Sequence, residues 1–190
     1  HVVKVKICAP DDAPAGLGKA MTLKAHLKGY PKISDSEILQ VNVDHVFQLN
    51  TGIAADEDSE DVDFSTDAEG NVVAIEANPG SPVTLHTTVV NTGNGPDRFD
   101  YTLARVTDSA GVDVIWDITV PRNTLEELDA GSFQEFDVLM NIPQQVPAGD
   151  YTVVFHTKSE QKDEDAAGRM TRLRDVVELT VTVREFHDMQ

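Results

Sequence analysis

With 190 residues, 40 % of them apolar, the chain can bury a core, yet it contains no run near the roughly 18 apolar residues that span a bilayer. Its formal charge of −18 at pH 7, from 33 acidic against 15 basic residues, argues against nucleic acid and anionic lipid as partners. Such acidity suits a divalent cation or a saline medium, and equally plain solubility.

His1 is an unusual first residue, and the chain is read as processed or cut from a longer polypeptide, so a missing leader says nothing about secretion. Residues 3–8 alternate in the manner of a strand through Val3, Val5 and Ile7. Cys8, the single cysteine, excludes an internal disulfide and is expected to be a buried, inert strand thiol. A loop marked by Pro10 and by Pro14-Ala15-Gly16 follows, then a strand running to His26 and another over residues 37–47.

This series recurs. A shift of 133 places Pro10 on Pro143, Pro14-Ala15-Gly16 on Pro147-Ala148-Gly149, and residues 3–8 on 136–141. A shift of about 140 places residues 37–47 on the run that begins at Asp175. The period is that of a whole domain rather than of a small solenoid unit. Residues 1–49 therefore match the last three strands of a module completed later in the chain. Three strands leave one apolar face open, so the missing ones are expected upstream or on another chain by strand addition.

Residues 50–71 are read as an acidic linker. The stretch 55–71 holds eight acids and no base. Asp56, Asp58 and Glu60 stand at the first, third and fifth places of an EF-hand loop, but Asp61 replaces the sixth-place glycine and Asp67 the twelfth-place glutamate.

Residues 72–187 read as a complete module. Strand-like runs cover 72–76, 83–90, 98–106, 112–119, 133–140, 151–157 and 176–183, separated by clusters of Pro, Gly, Asn and Asp. The run "NTLEELDAG", with Asn123 as a cap and Glu126 three residues on, predicts one or two helical turns. Seven short strands point to an all-β fold, an antiparallel immunoglobulin-like β-sandwich, with three strands of a second, incomplete sandwich at the N-terminus. Trp116 is expected in the core; without a Cys–Cys pair around it the domain is not of antibody type.

The stretch "VVNTGNGPDRFDYTLA", then Trp116, then "LDAGSFQEFDVLMNIPQQVPAGDYTVVFHTKS", resembles the immunoglobulin-like repeats of prokaryotic, especially archaeal, surface proteins. These are the cell-adhesion-related CARDB-type modules and the related domain first noted beside alpha-galactosidases. The resemblance covers residues 72–183 well and 2–46 in part; here the Gly-Trp spot is stretched to "GVDVIW". It implies extracellular scaffolding, adhesion or spacing, and no catalytic residues.

The six histidines show neither zinc-finger nor HExxH spacing, and the chain has no GxSxG, P-loop or Rossmann fingerprint. A structural, non-enzymatic module is expected, with adjacent copies or neighbouring subunits as partners in a tandem array or homo-oligomer; the alternative is a carbohydrate- or protein-binding module attached to a secreted enzyme. One cation site is also considered. In head-to-tail order the acidic run (Asp56, Asp58, Glu60, Asp61, Asp63) would face two loops carrying Asp97 and Asp163 with Asp165, where calcium would relieve the repulsion; the other reading is a solvated linker.

Overall fold

A computed structural model of the chain describes residues 4–10, 12–18, 20–56, 62–121, 123–164 and 168–185, with the side chains of residues 163 and 164 left aside. Thirteen strands follow one another and no helix forms among these residues. They are β1 (Gly16–Leu17), β2 (Met21–Leu27), β3 (Tyr30–Leu39), β4 (Asn42–Val43), β5 (Leu49–Ala55), β6 (Val62–Thr66) and β7 (Val72–Ala77). Next come β8 (Pro82–Asn91), β9 (Phe99–Asp108), β10 (Asp117–Thr119), β11 (Phe133–Asn141), β12 (Gly149–Glu164) and β13 (Met170–Val183).

Two sheets face each other from β5 onward. One has the order β10-β11-β8-β5 and the other β6-β7-β13-β12-β9. All ladders are antiparallel except β13 with β7, which run parallel through Val181 and Ile75. This is the strand arrangement of an immunoglobulin-like sandwich, with the first strand divided between the sheets: β5 joins one and β7 the other.

Period-two alternation explains the layers. On β12 the inward residues Tyr151, Val153, Phe155, Thr157 and Ser159 are buried, and on β13 Leu179, Val181 and Val183 meet them. Val83, Leu85 and Val89 of β8, with Val138 and Met140 of β11, supply the facing layer. Trp116 lies in this core at 6 % exposure, its ring 5.0 Å from that of Tyr151. The Tyr151 hydroxyl donates to the Pro147 carbonyl at 2.9 Å, which pins the turn entering β12 as a tyrosine corner does.

Residues 16–43 fold back as a long hairpin. At its base β1 pairs with β4 through Gly16 and Val43; the base of the β12–β13 hairpin pairs Gly149 with Val183. The sequence shifts of 133 and 140 carry one pair onto the other. One extra residue then enters between β1 and β2, after which Met21–Leu39, Leu23–Glu37 and Ala25–Asp35 occupy the places of Val153–Leu179, Phe155–Val177 and Thr157–Asp175. Smaller details repeat as well. The Ala13 N–H bonds to Pro10 O at 3.1 Å, and the Val146 N–H to Pro143 O at 3.3 Å. Asp35 Oδ1 accepts the Ser36 N–H at 2.9 Å, and Asp175 Oδ1 accepts the Val176 N–H at 2.9 Å. Gly16 and Gly149 both take positive φ, 115° and 142°, where a side chain would be strained.

Four expectations are corrected. Residues 50–71 are not simply a linker: they carry most of β5 and all of β6. Thr51 and Ile53 are buried and Val62 and Phe64 pack on the core, because β8 and β7 offer open ladder edges and the apolar positions alternate; Asp63, between Val62 and Phe64, faces outward. Residues 123–131 form no helix. Leu125 and Leu128 enter the core while backbone bridges tie Asp97 to Leu128 and Asp100 to Thr124, so burial of two leucines overrides the weak helical signal. The run 112–119 pairs as a strand only over β10. Cys8 is exposed, since residues 4–8 join no ladder and nothing among the described residues covers them from outside.

Among the described residues no helix is long and apolar enough to cross a membrane.

Candidate functional site

The most elaborate polar arrangement is the loop after β8. Asn91 is 1 % exposed; its amide donates to Gly95 O and Leu128 O, both at 2.8 Å, and its carbonyl oxygen accepts the Gly93 N–H at 3.0 Å. Those bonds hold the loop so that Asn94 projects onto the N-terminal segment. The Asn94 side chain donates to Ala13 O at 3.2 Å and Asp44 O at 3.0 Å and accepts the Val46 N–H at 2.7 Å. Its backbone adds Ala15 N–H to Asn94 O at 2.8 Å and Asn94 N–H to Val46 O at 3.2 Å. One residue thus ties both arms of the hairpin base to the sandwich.

Two glycines make this approach possible. A Cβ on Gly93 would lie 2.4 Å from Val46 O, and one on Gly95 would lie 2.8 Å from the His45 ring. The His45 ring packs on Phe47 with centroids 4.0 Å apart. Beside the contact lies an open groove of about 610 Å³ lined by Asp12, Pro14, Thr92, Asn94 and Gly131 among others. In the sequence "NTGNGPD" has the composition of a turn; the signal for a further role is two asparagines and two glycines in its first five residues.

Among the described residues the candidate acids Asp56, Asp63 and Asp97 do not converge. Asp63 pairs with Arg184, whose Nε also donates to Glu76 at 3.0 Å, and Asp56 follows the end of β5; both belong to the end of the sandwich where Ala77, Gly149 and Val183 meet. Asp97 stands beside Ser159, ten residues further along β12, about 33 Å away at strand rise. Asp163 lies further out on β12, opposite Thr171. Asp58, Glu60, Asp61 and Asp165 lie outside the described residues. The separation follows from β5 running antiparallel to β8, which carries Asp56 away from the loop that holds Asp97. Among the described residues no group of three or more His, Cys, Asp or Glu side chains is arranged to hold a metal.

Asp97 serves the fold instead. It is 2 % exposed and accepts the Ser159 hydroxyl at 2.6 Å and the Arg98 N–H at 2.7 Å. Asp97→Ala strands both donors, and the expected loss is about 2–3 kcal/mol in urea unfolding, unchanged by calcium or chelator. A loss that calcium restores would return Asp97 to a metal site.

Among the described residues the histidines join no cluster that could hold a metal. His86 Nδ1 lies 2.7 Å from Asp137 on the exposed face of β8 and β11. His156, half-buried on β12, has its pKa held below the usual histidine value by desolvation and then by Arg174, Lys158 and Arg105. A depressed folded value means the unfolded chain takes up the proton first, so this stabilising contribution is present above about pH 6.5 and is lost as pH falls below it. In His156→Gln the fall in urea midpoint between pH 7 and pH 5.5 is expected to be smaller than in the parent; an identical fall refutes the assignment.

Fold and site together define an immunoglobulin-like β-sandwich module with a second β-hairpin clamped to one end. No family model and no curated protein matches the chain. Among solved structures, a family 123 glycoside hydrolase from Clostridium perfringens aligns at TM-score 0.46 and 11% identity over 73% of this chain, which spans 27% of that one. The PapD-like domain 7 of human CEP192 aligns at TM-score 0.39 and 15% identity, over 68% of this chain and 89% of its own. Self-complemented MyfA, the major subunit of Myf fimbriae from Yersinia enterocolitica, aligns at 0.37 and 13%, over 70% and 99%. The strand order and register, not these distant likenesses, define the fold.

Proposed function

We propose that the chain is a segment of a head-to-tail array of immunoglobulin-like modules in an extracellular surface protein or filament, with a structural rather than catalytic role. In this reading residues 1–49 are the C-terminal end of a preceding module. The observation that carries it is the register of the 16–43 hairpin, which reproduces that of β12 and β13 while lacking their cover.

The uncovered face supports this reading. Val153, Phe155, Thr157 and Ser159, at 0–1 % exposure, lie beneath the opposite sheet; their counterparts Met21 and Leu23 are 40 % exposed and Leu27 is 52 %. Asp175 Oδ2 accepts the Thr51 N–H of β5 at 2.9 Å, so Asp35 is placed to accept a strand of the same kind. Val5, the counterpart of buried Val138, already lines a groove with Leu23 and Ala25, on the side where a facing sheet would build. The resemblance to prokaryotic surface repeats and the acidic surface support an extracellular setting. Strands upstream in the same polypeptide or from a neighbouring subunit would both complete the hairpin.

The test places a copy of residues 49–133 ahead of His1, the phase set by the shift of 133. Amide exchange at Met21, Leu23 and Leu39 should slow by at least about tenfold as these strands gain a core. Exchange as fast as in the 190-residue chain rejects the reading. Antibody labelling of intact cells tests location, and labelling only after permeabilisation rejects an extracellular place.

A further inference from the structure

We infer that the opposite end of the sandwich, around Val146, Ala148 and Arg184, is a socket for the Asn94 loop of a following copy of the same module. The inference rests on the array reading and adds to it a defined, recurring contact that sets the angle between modules.

The argument is one of equivalence. In the contact already present, Asn94 is held by backbone groups of Ala13, Ala15, Asp44 and Val46. The two shifts carry the first three onto Val146, Ala148 and Arg184. The local backbone is also the same: the Pro10–Ala13 hydrogen bond recurs between Pro143 and Val146, the positive φ of Gly16 recurs at Gly149, and the Gly16–Val43 pair recurs as Gly149–Val183. Ala15 is half-buried where it meets Asn94, whereas Ala148 is exposed. A groove of about 590 Å³ opens at this end between Pro79, Gln144, Val146, Ala148 and Arg184, close in size to the one flanking Asn94.

The occupant is specific for a reason of shape. The Val146 and Arg184 carbonyls, counterparts of Ala13 O and Asp44 O, suit a side chain offering two N–H groups together, the Ala148 N–H suits a backbone carbonyl beside it, and the loop bearing both must come close, which needs glycine at the position of Gly93. A following copy of the module brings both. The side-chain surroundings differ in one respect: Arg184 replaces Asp44, and its guanidinium is drawn toward Glu76 and Asp63, leaving recognition to the backbone.

The experiment appends residues 51–190 directly after Gln190, which keeps the phase because position 190 corresponds to position 50 under the shift of 140. Amide exchange is read at Ala148 of the first copy, and folding of the second copy by the fluorescence of its own Trp116. Ala148 should exchange at least about tenfold more slowly than in the 190-residue chain, and small-angle scattering should show a fixed angle between the sandwiches. Asn94→Asp in the appended copy alone, near-isosteric but without the two N–H donors, should restore fast exchange at Ala148 and leave the first copy's own Asn94 contact intact. A second copy that does not fold, or Ala148 exchange unchanged in the tandem chain, overturns the socket. If the socket fails while the N-terminally extended chain still protects the hairpin, the array reading stands with a flexible joint.

Discussion

Phe155→Ala is expected to lower the unfolding free energy of the sandwich by about 3–5 kcal/mol, whereas Leu23→Ala, at the corresponding place in the N-terminal hairpin, should change it by less than about 0.5 kcal/mol. Phe155 is fully buried and stacks against Tyr101 with ring centroids 5.5 Å apart and planes 14° from parallel. Its removal opens a cavity between two sheets that cannot close around it. Leu23 has the corresponding strand position, but its one ladder partner is Glu37 of β3, no strand stands where β9 places Leu103 beside Phe155, and no second sheet lies over it. Urea unfolding followed by Trp116 fluorescence measures both. In the chain extended at its N-terminus, Leu23→Ala should become a core substitution and slow exchange should be lost from the hairpin. A midpoint shift for Leu23→Ala in the 190-residue chain as large as that for Phe155→Ala would mean that the hairpin face is already packed, and the proposed incompleteness would be withdrawn.

Asn91→Ala should cost about 2–4 kcal/mol, while Asn94→Ala should leave the sandwich within about 0.5 kcal/mol and free the hairpin. The difference comes from burial. The Asn91 amide satisfies Gly95 O and Leu128 O in buried surroundings and its carbonyl oxygen accepts the part-buried Gly93 N–H, so its loss leaves Gly95 O and the Gly93 N–H without this partner and Leu128 O with the Asp97 N–H alone. Asn94 bonds to a segment with water alongside, and the groups it leaves can be resolvated. Denaturation reads the first effect, and amide exchange at Ala15 and Val46 reads the second. Equal loss of sandwich stability in the two variants would show that the N-terminal segment is part of the folding unit rather than an attachment to it.

Where period two and turn residues coincide, the strands were legible: β8, β11, β12 and β13 include the runs read from alternation and β9 includes all of its run but Arg98, although β12 and β13 extend beyond them as a long polar hairpin. The repeat was legible too, because Pro-Ala-Gly is an uncommon signal and the geometry of the turn demands it. The acidic run concealed β5 and β6. Thr51, Ile53, Val62 and Phe64 alternate correctly, but the charges between them dominate any composition-based reading. Cys8 was misjudged because alternation reports the capacity to be buried, and burial itself needs another layer. That Asp56 and Asp63 lie at the end of the sandwich away from Asp97 was hidden for a related reason: which end a residue occupies depends on strand direction, which local pattern does not encode.

By itself, then, the order of residues determined that the chain is built of β-strands and that the Pro-Ala-Gly turn occurs twice with strand-like runs around it, since alternation, proline and glycine act within a few residues. Only the tertiary structure decided that β5 and β6 belong to the sandwich, that Asp97 is a buried structural carboxylate, and that Asn94 clasps the hairpin base. Each of those outcomes depends on groups distant in sequence competing for the same ladder edge, cavity or hydrogen bond, and that competition is settled only when the layers pack.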